Sequence, residues 1–181
     1  MEITLKNYYE ILSPRCTVLI STVDKEGVVN AAPFSFVTPI SFNPPFVIFA
    51  SAKERHTLAN IRETEEFVLN IVPENLLDNL WICAKPFEKG VNEIKEAGLT
   101  EKESVMVKVP GIAECVSWIE CKFEREIEMG DHIMVVGRVV YAEGKDEFIK
   151  DEQFDISKAR PIMHIRSRRF AVAEKIIQVN D

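Results

Sequence analysis

The chain has 181 residues and a formal net charge of -7, and 46% of its residues are hydrophobic while 28% are charged. This balance is ordinary for a folded globular protein and excludes an intrinsically disordered chain. The acidic charge disfavours nucleic acid as a partner, because nucleic-acid binding usually requires a basic face. We expect one domain over residues 1–181, since a chain of this length can bury a sizeable core.

Targeting and redox signals are weak in this sequence. Residues 1–6 lack the charged-then-apolar pattern of a signal peptide. The segment from Gly27 to Ala52 holds no charged side chain, but four prolines interrupt it, which favours strands over a membrane helix. The four cysteines form no C-x-x-C pair and so provide neither zinc spacing nor a disulfide framework. We therefore expect a cytoplasmic protein with buried free thiols, without a metal site or a membrane partner.

The first third of the chain predicts three strands and a helix, in the order Cys16–Val23, Val28–Ile40, Phe46–Ala50 and His56–Thr64. β-Branched residues dominate the first strand. The Asp24–Gly27 sequence after it is typical of a hairpin turn, in which Gly27 is free to take a positive φ. The third strand is wholly apolar and bounded by turn residues, so we expect it to be buried on both faces.

The middle of the chain predicts a strand over Glu66–Val72 and then a helix over Glu74–Ala84. Pro73 separates the two elements. We expect the helix to bury one apolar face, formed by Leu76, Leu77, Leu80 and Trp81. Lys89–Leu99 is polar and predicts a covering loop with one helical turn that ends at Gly98.

The clearest periodicity lies between Ile119 and Met129, where mostly apolar odd positions alternate with charged even positions. This pattern predicts a strand with one packed and one solvated face. Arg125 interrupts the packed face, so we expect it either to pair with an acid or to enter a subunit interface. A turn at Gly130–Asp131 precedes the next strand, His132–Tyr141.

Strands dominate these predictions and helices are inserted between them. The pattern indicates a mainly β fold, a β-barrel with helical caps, rather than alternating βαβ units. The sequence has no G-x-G-x-x-G or Walker motif and no G-x-S-x-G or H-E-x-x-H motif. We therefore expect a bound cofactor to carry any chemistry of this protein.

Two segments suggest where such a cofactor would lie. The uncharged stretch combines apolar area with small hydrogen-bonding groups and suits a planar ring with polar edges; these residues are Asn30, Pro33, Phe34, Ser35, Thr38 and Ser41. The loop Ser51–Thr57 places hydroxyls and cations at a helix N-terminus, which is a physical site for phosphate. The alternative is a solvated loop in which Ser51 or Thr57 caps the helix.

The sequence resembles the flavin reductase-like, FMN-binding split-barrel family, which includes flavoredoxins and archaeal ferric and flavin reductases. The resemblance covers most of the chain in the family's order and is carried by Leu12–Arg15, Leu19–Thr22, Gly27–Phe36, Ser41–Pro45, Thr57–Thr64, Glu66–Asn70, Gly130–His132 and Arg160–His164. It implies a split β-barrel that forms a homodimer, with one FMN per subunit near the interface.

The resemblance also implies roles for individual residues. The isoalloxazine would be lined by the Asn30–Ser35 segment, that is Asn30, Ala32, Pro33, Phe34 and Ser35 among others. The phosphate and ribityl chain would be held by Ser51, Arg55, His56, Thr57 and Asn60. Many relatives have an acid where this chain has His56, so its role is open between phosphate ligand and bystander. His132 would lie near the docked nicotinamide nucleotide, the alternative being a strand-end histidine satisfied by the backbone. His164 is expected to pack structurally.

The function implied is that of an FMN-dependent oxidoreductase. It would take hydride from NADH or NADPH onto the flavin and pass electrons to free flavin, a ferric complex or a protein. The rival hypothesis is an FMN-containing electron carrier of the flavoredoxin type, or a flavin-storage protein, without nicotinamide activity.

Overall fold

A computed structural model describes residues 1–179 of the chain. Its strands are β1 (Arg15–Cys16), β2 (Val18–Val23), β3 (Val29–Phe34), β4 (Val37–Phe42), β5 (Pro45–Ala52), β6 (Glu66–Ile71), β7 (Glu101–Lys102), β8 (Gly111–Ile112), β9 (Ser117–Met129), β10 (His132–Gly144), β11 (Ile149–Lys150), β12 (Gln153–Phe154), β13 (Ile162–Arg166) and β14 (Arg169–Val172). Its α-helices are α1 (His56–Thr64), α2 (Leu77–Cys83), α3 (Glu93–Glu96) and α4 (Ile156–Ala159). Short 3-10 segments cover Leu5–Glu10, Glu74–Leu76 and Asp146–Phe148. The mainly β fold with inserted helices is as predicted.

Seven antiparallel strands form the main sheet in the order β3-β2-β6-β9-β10-β5-β4. The two edge strands, β3 and β4, are consecutive in the chain and only Ser35 and Phe36 separate them. The carbonyl of Phe36 accepts a hydrogen bond from the Ala50 N–H of β5, at 2.9 Å. The two edges of the sheet are therefore brought together, which gives the sheet its barrel form.

The barrel interior is an aromatic and aliphatic core. Phe49 packs edge-on against Phe34 and Phe67, with ring centroids 4.9 and 5.5 Å away. Leu58 and Ile61 of α1 are fully buried in the same cluster, as the sequence predicts for the apolar face of that helix. Helix α1 thus closes the barrel, and its N-terminus is fixed next to the end of β5.

A second core lies on the outer face of the sheet, beneath α2 and α3. Leu80 of α2 and Ile94 of α3 pack there against Ala31 of β3 and Val68 of β6. The outer edge of β3 is partly covered as well, because the Ala31 N–H donates to the carboxylate of Glu93 at 3.0 Å. This contact satisfies a donor that an edge strand would otherwise leave open.

Two predictions about the early strands are wrong. A single strand over Val28–Ile40 is not formed, because the chain bends at Ser35–Phe36 where it passes from one edge of the sheet to the other. The third strand is not buried on both faces: burial alternates along β5, with Val47 and Phe49 buried and their neighbours partly exposed. One face of β5 points into the barrel, and Ala50 and Ala52 on the other face line a cavity.

The periodic strand β9 also departs from its prediction. Glu120, expected on the solvated face, is buried, and its carboxylate accepts hydrogen bonds from the N–H groups of Val105, Met106 and Val107. Arg125, expected on the packed face, is exposed and pairs with no acid within residues 1–179. The pairing between β9 and β10 shifts register near Gly137. The alternating side chains of β9 therefore face different surroundings on the two sides of this shift.

Other predictions hold in this part of the chain. The Gly27 N–H closes the first hairpin onto the Asp24 carbonyl, and Gly27 takes a φ of 82°. Gly98 ends the helical turn of the covering loop with a φ of 68°. Three cysteines are buried as expected, but Cys16 is exposed. Among the described residues, no helix is long and apolar enough to cross a membrane.

Candidate functional site

Three adjoining cavities follow β3 and form one continuous surface, which we call the β3 groove. We call them the cationic cavity, at the start of α1, the central cavity, beside His132, and the aromatic cavity, beside Trp81. The cationic and central cavities share Ala32 and Arg55, while the central and aromatic cavities share Pro33, Phe34 and Ser35. Their volumes are about 170, 210 and 220 Å³. Together they fall in the range of about 300–1,000 Å³ that is typical of small-molecule and cofactor sites.

The central cavity is a slot with small and aromatic walls. It is lined by Ala32, Pro33, Phe34, Ser35, Phe36, Ala50, Ala52, Arg55, Ala84 and His132. The alanines leave room for a flat group beside the strands, and Pro33 is tolerated because β3 is an edge strand. Ser35, Arg55 and His132 are the polar residues of its lining. Such a slot accepts a planar ring with polar edges.

The cationic cavity lies at the N-terminus of α1. It is lined by Asn30, Ala32, Glu54, Arg55, His56, Thr57, Cys83, Lys85, Pro86, Phe87 and Glu93. Arg55 is the N-cap residue, and no side chain within the described residues caps the helix. The alternative in which Ser51 or Thr57 caps α1 is therefore wrong. An uncapped helix N-terminus next to Arg55 and Lys85 has the donors and the charge that bind a phosphate group.

One of the cations in the Ser51–Thr57 loop pairs with a residue outside the cationic cavity. Lys53 forms an ion pair with Glu128 of β9. Arg55 and His56 are exposed at the mouth of the cationic cavity. The predicted phosphate site therefore depends on Arg55 and on Lys85, a residue that the sequence prediction did not include.

A buried polar network joins the groove wall to α1. The Thr57 hydroxyl donates to Asn30 Oδ1 at 3.1 Å, and Asn60 Nδ2 donates to the Thr22 hydroxyl at 3.1 Å. Thr22 in turn donates to Asn30 Oδ1 at 3.4 Å. Asn30, Thr57 and Asn60 were predicted as ligand-binding residues, and the structure brings them together but with their side chains directed at each other.

The side chain of Ser51, predicted as a phosphate or ribityl ligand, does not border the β3 groove in this structure. Its side chain is fully buried and its hydroxyl donates to the Ala52 carbonyl at 3.0 Å. The reason is the alternation along β5: Ser51 points into the barrel, while Ala50 and Ala52 point into the groove. Register along a strand, rather than proximity to the loop, decides which of these side chains a ligand can touch.

Glu93 is a buried carboxylate in the wall of the cationic cavity, with an exposed fraction of 5%. Burial raises the pKa of Glu93 to about 7, against the opposing effects of the Ala31 N–H, the Asn30 side chain and the positive charge of Arg55. The sequence placed this residue in a polar covering loop. Only its place between the apolar residues Val91 and Ile94 hints that it faces inward.

The aromatic cavity is lined by Thr17, Pro33, Phe34, Ser35, Leu80, Trp81, His164, Ser167 and Phe170. His164 Nε2 lies 3.1 Å from the Ser167 carbonyl, and its Nδ1 lies 3.3 Å from the Ser35 hydroxyl and 3.4 Å from an Arg15 nitrogen. Burial lowers the pKa of His164, and the Arg15 cation acts in the same direction. A neutral ring with its proton on Nε2 satisfies all three contacts, so His164 orients Ser35 at the edge of the groove.

His132 lies where the sequence predicted it, as the first residue of β10 after the Gly130–Asp131 turn. Its Nδ1 is 2.7 Å from Asp131 Oδ1, which lowers the pKa of the Asp131 carboxyl. The alternative of a ring satisfied by the backbone is wrong, since the partner is a side chain. The ring borders the central cavity and lies 5.9 Å from that of Phe36, which leaves Nε2 available to a ligand.

The residues of the groove fit a flavin mononucleotide. The central cavity offers an apolar slot for a ring system, and the adjoining cationic cavity offers an anion site for a phosphate-bearing tail. Of the predicted residues, nine border the groove or its supporting network: Asn30, Ala32, Pro33, Phe34, Ser35, Arg55, His56, Thr57 and Asn60. The sequence missed Phe36, Ala50, Ala52, Ala84, Lys85 and Glu93, which long-range packing brings to the same surface.

Comparison with known proteins gives a consistent result. The family model described as "Flavin reductase like domain" matches residues 12–173. A protein of Methanothermobacter thermautotrophicus is 38% identical over 166 residues, which cover 88% of this chain and 78% of that protein. The crystal structure of nitrilotriacetate monooxygenase component B from Bacillus cereus matches with a TM-score of 0.90 at 27% identity, covering 98% of this chain and 95% of that one. That of Pseudomonas fluorescens 2-nitrobenzoate 2-nitroreductase matches with a TM-score of 0.87 at 25% identity, covering 99% and 92%.

Proposed function

This chain belongs to the flavin reductase-like family, and we propose that it is an oxidoreductase that holds FMN in the β3 groove and takes hydride from NADH or NADPH. The observation that carries the proposal is the groove itself, a flat apolar slot that continues into an uncapped helix N-terminus beside Arg55. Bacillus cereus nitrilotriacetate monooxygenase component B and the Pseudomonas fluorescens 2-nitroreductase share the fold. The names of both proteins refer to redox enzymes, a monooxygenase and a nitroreductase, which supports the proposal.

FMN, when bound, supplies a ring that accepts hydride, so the chain needs no acid or base for that step. The roles left to the side chains are binding and orientation. Arg55, Lys85 and the first N–H groups of α1 would hold the phosphate. Ala32–Phe36 and Ala50 would flank the ring, and His132 would hydrogen-bond the amide, ribose or phosphate of the nicotinamide nucleotide.

The surface beside the groove supports a homodimer as part of the proposal. Ile127, Met134 and Ala50 lie in one row across β9, β10 and β5, and Met129, His132 and Ala52 lie in the next row. Ile127 and Met129 are exposed although both are large and apolar, and so is Phe36, whose ring lies 5.9 Å from that of His132. An apolar patch of this kind bordering a ligand groove is typical of a subunit interface.

The test is anaerobic rapid mixing of the FMN-loaded protein with NADH and with NADPH, followed at the flavin absorbance. Reduction by either nucleotide within seconds, followed by reoxidation on adding free flavin or a ferric complex, is the expected result. The rival function, an electron carrier or flavin-storage protein, predicts that neither nucleotide reduces the bound flavin although dithionite does. Failure to bind FMN at all would contradict both hypotheses.

A further inference from the structure

Glu93 is a buried carboxylate of the β3 groove that the proposed function does not use. One of its carboxylate oxygens accepts a hydrogen bond from the Ala31 N–H, and its side chain borders the same cavity as Arg55 and His56. Its placement fixes the edge of β3 at the point where the groove wall begins. Through Asn30, which lies beside it, it is connected to Thr57 and so to the N-terminus of α1.

This position puts a carboxylate next to the site that would hold a phosphate. Two negative groups in one cavity of about 170 Å³ repel each other strongly, because a partly buried pair is poorly screened by solvent. A ligand that fills the cavity also removes the water that solvates Glu93. Both effects favour the neutral carboxyl group when an anion is bound.

We propose that Glu93 is a positioning residue of the groove that takes up a proton when a phosphate-bearing flavin binds, an inference that rests on the proposed function. The protonated carboxyl group still accepts the Ala31 hydrogen bond and no longer repels the phosphate. Binding of the phosphate is thereby linked to proton uptake, and the affinity for FMN falls as the pH rises past neutrality.

The groups facing Glu93 decide how strong this linkage is. They are Glu54, Arg55 and His56 from the start of α1, and Cys83 and Lys85 from the end of α2 and the segment after it. β3 contributes no titratable side chain. Burial raises the pKa of the Cys83 thiol to about 12, so it stays neutral near neutral pH. Glu93, with a pKa of about 7, is then poised to change its charge within the physiological range.

The test is calorimetric titration of the flavin-free protein with FMN at pH 7.5, in buffers of different ionisation enthalpy. Wild type should take up several tenths of a proton more per FMN bound than Glu93→Gln, because about three quarters of Glu93 is ionised at that pH before binding. Proton exchange at groups other than Glu93, the FMN phosphate included, is common to both proteins and cancels in the comparison. Glu63→Gln is the matched control and should behave as wild type, because Glu63 is exposed on α1 and does not line the cationic cavity.

A second readout is the dissociation constant of FMN against pH. Between pH 6.5 and 8.5 the affinity of wild type should fall roughly tenfold more than that of Glu93→Gln. Riboflavin, which lacks the phosphate, should show little of this difference. A merely structural role for Glu93 would change the affinity by the same factor at every pH.

Equal proton uptake by wild type and Glu93→Gln, with FMN bound to both, would overturn the inference. If Glu93→Gln does not fold, His56→Gln takes its place: uptake that survives in that variant supports Glu93, and uptake that disappears assigns the proton to His56. Absence of FMN binding by wild type would instead contradict the proposed function, so the two failures are distinguishable.

Discussion

The Thr57 hydroxyl donates a hydrogen bond to Asn30 Oδ1 at 3.1 Å, and both side chains are buried. This contact ties the first turn of α1 to the wall of the β3 groove. The helix N-terminus and the groove wall are therefore held together by a buried contact before any ligand binds. Binding at such a site loses little energy to reorganisation.

Arg55→Ala should weaken FMN binding by about ten- to a hundredfold and riboflavin binding by much less, because one charge-assisted hydrogen bond to the phosphate is lost. It should also make FMN binding less sensitive to salt. Isothermal titration with both flavins at two salt concentrations measures this. Arg62→Ala is the matched control, since Arg62 lies on the same helix but pairs with Glu126 on the surface. Equal losses for FMN and riboflavin would remove Arg55 from the phosphate site.

His132→Ala should slow reduction of the bound flavin by NADH or NADPH about ten- to a hundredfold, while the FMN content stays nearly unchanged. The loss corresponds to one hydrogen bond to the nucleotide, worth about 1–3 kcal/mol. Rapid mixing with each nucleotide measures the rate, and photoreduction of the same samples is a control that needs no nucleotide. A rate equal to wild type would favour the electron-carrier function, and loss of FMN would place His132 in the flavin pocket.

A charge in the exposed apolar patch should separate the subunits. Met129→Glu is expected to shift the protein from dimer to monomer, because Met129 lies in the cross-strand row of His132 and is exposed in the single chain. Light scattering at micromolar concentration measures the mass. Val105→Glu is the control, an equally exposed apolar residue beside the other half of β9. A monomeric wild-type protein with FMN bound would contradict the dimer and the shared site.

The sequence predicted best what depends on neighbouring residues. The hairpin at Asp24–Gly27, the helix His56–Thr64 and the turn before His132 were all placed correctly, since turn chemistry and helical periodicity are local. Most predicted site residues lie on one strand and one helix start, so their clustering followed from their order in the chain.

The features that could not be predicted from the sequence depend on contacts between distant segments of the chain. Ser51 and Ala52 are equally plausible ligands by composition, and only the register of β5 with β10 decides that Ala52 faces the groove. Glu120 and Glu93 appear in polar stretches, yet backbone N–H groups from elsewhere in the chain hold both carboxylates inside. A buried acid becomes recognisable only when its donors are known.

The free energy of unfolding of the flavin-free protein should also depend on the protonation of Glu93. Its pKa is raised from 4.5 to about 7 in the folded chain, so the folded state binds more protons than the unfolded state between these values. The free energy of unfolding of wild type therefore falls as the pH rises from about 4.5 to 7, relative to a variant without this carboxyl group. Glu93→Gln should gain up to roughly 3 kcal/mol over wild type between pH 4.5 and pH 8, because each pKa unit corresponds to about 1.4 kcal/mol. Urea unfolding at both pH values measures the difference, with exposed Glu63→Gln as the control; a difference independent of pH would show that Glu93 has an ordinary pKa.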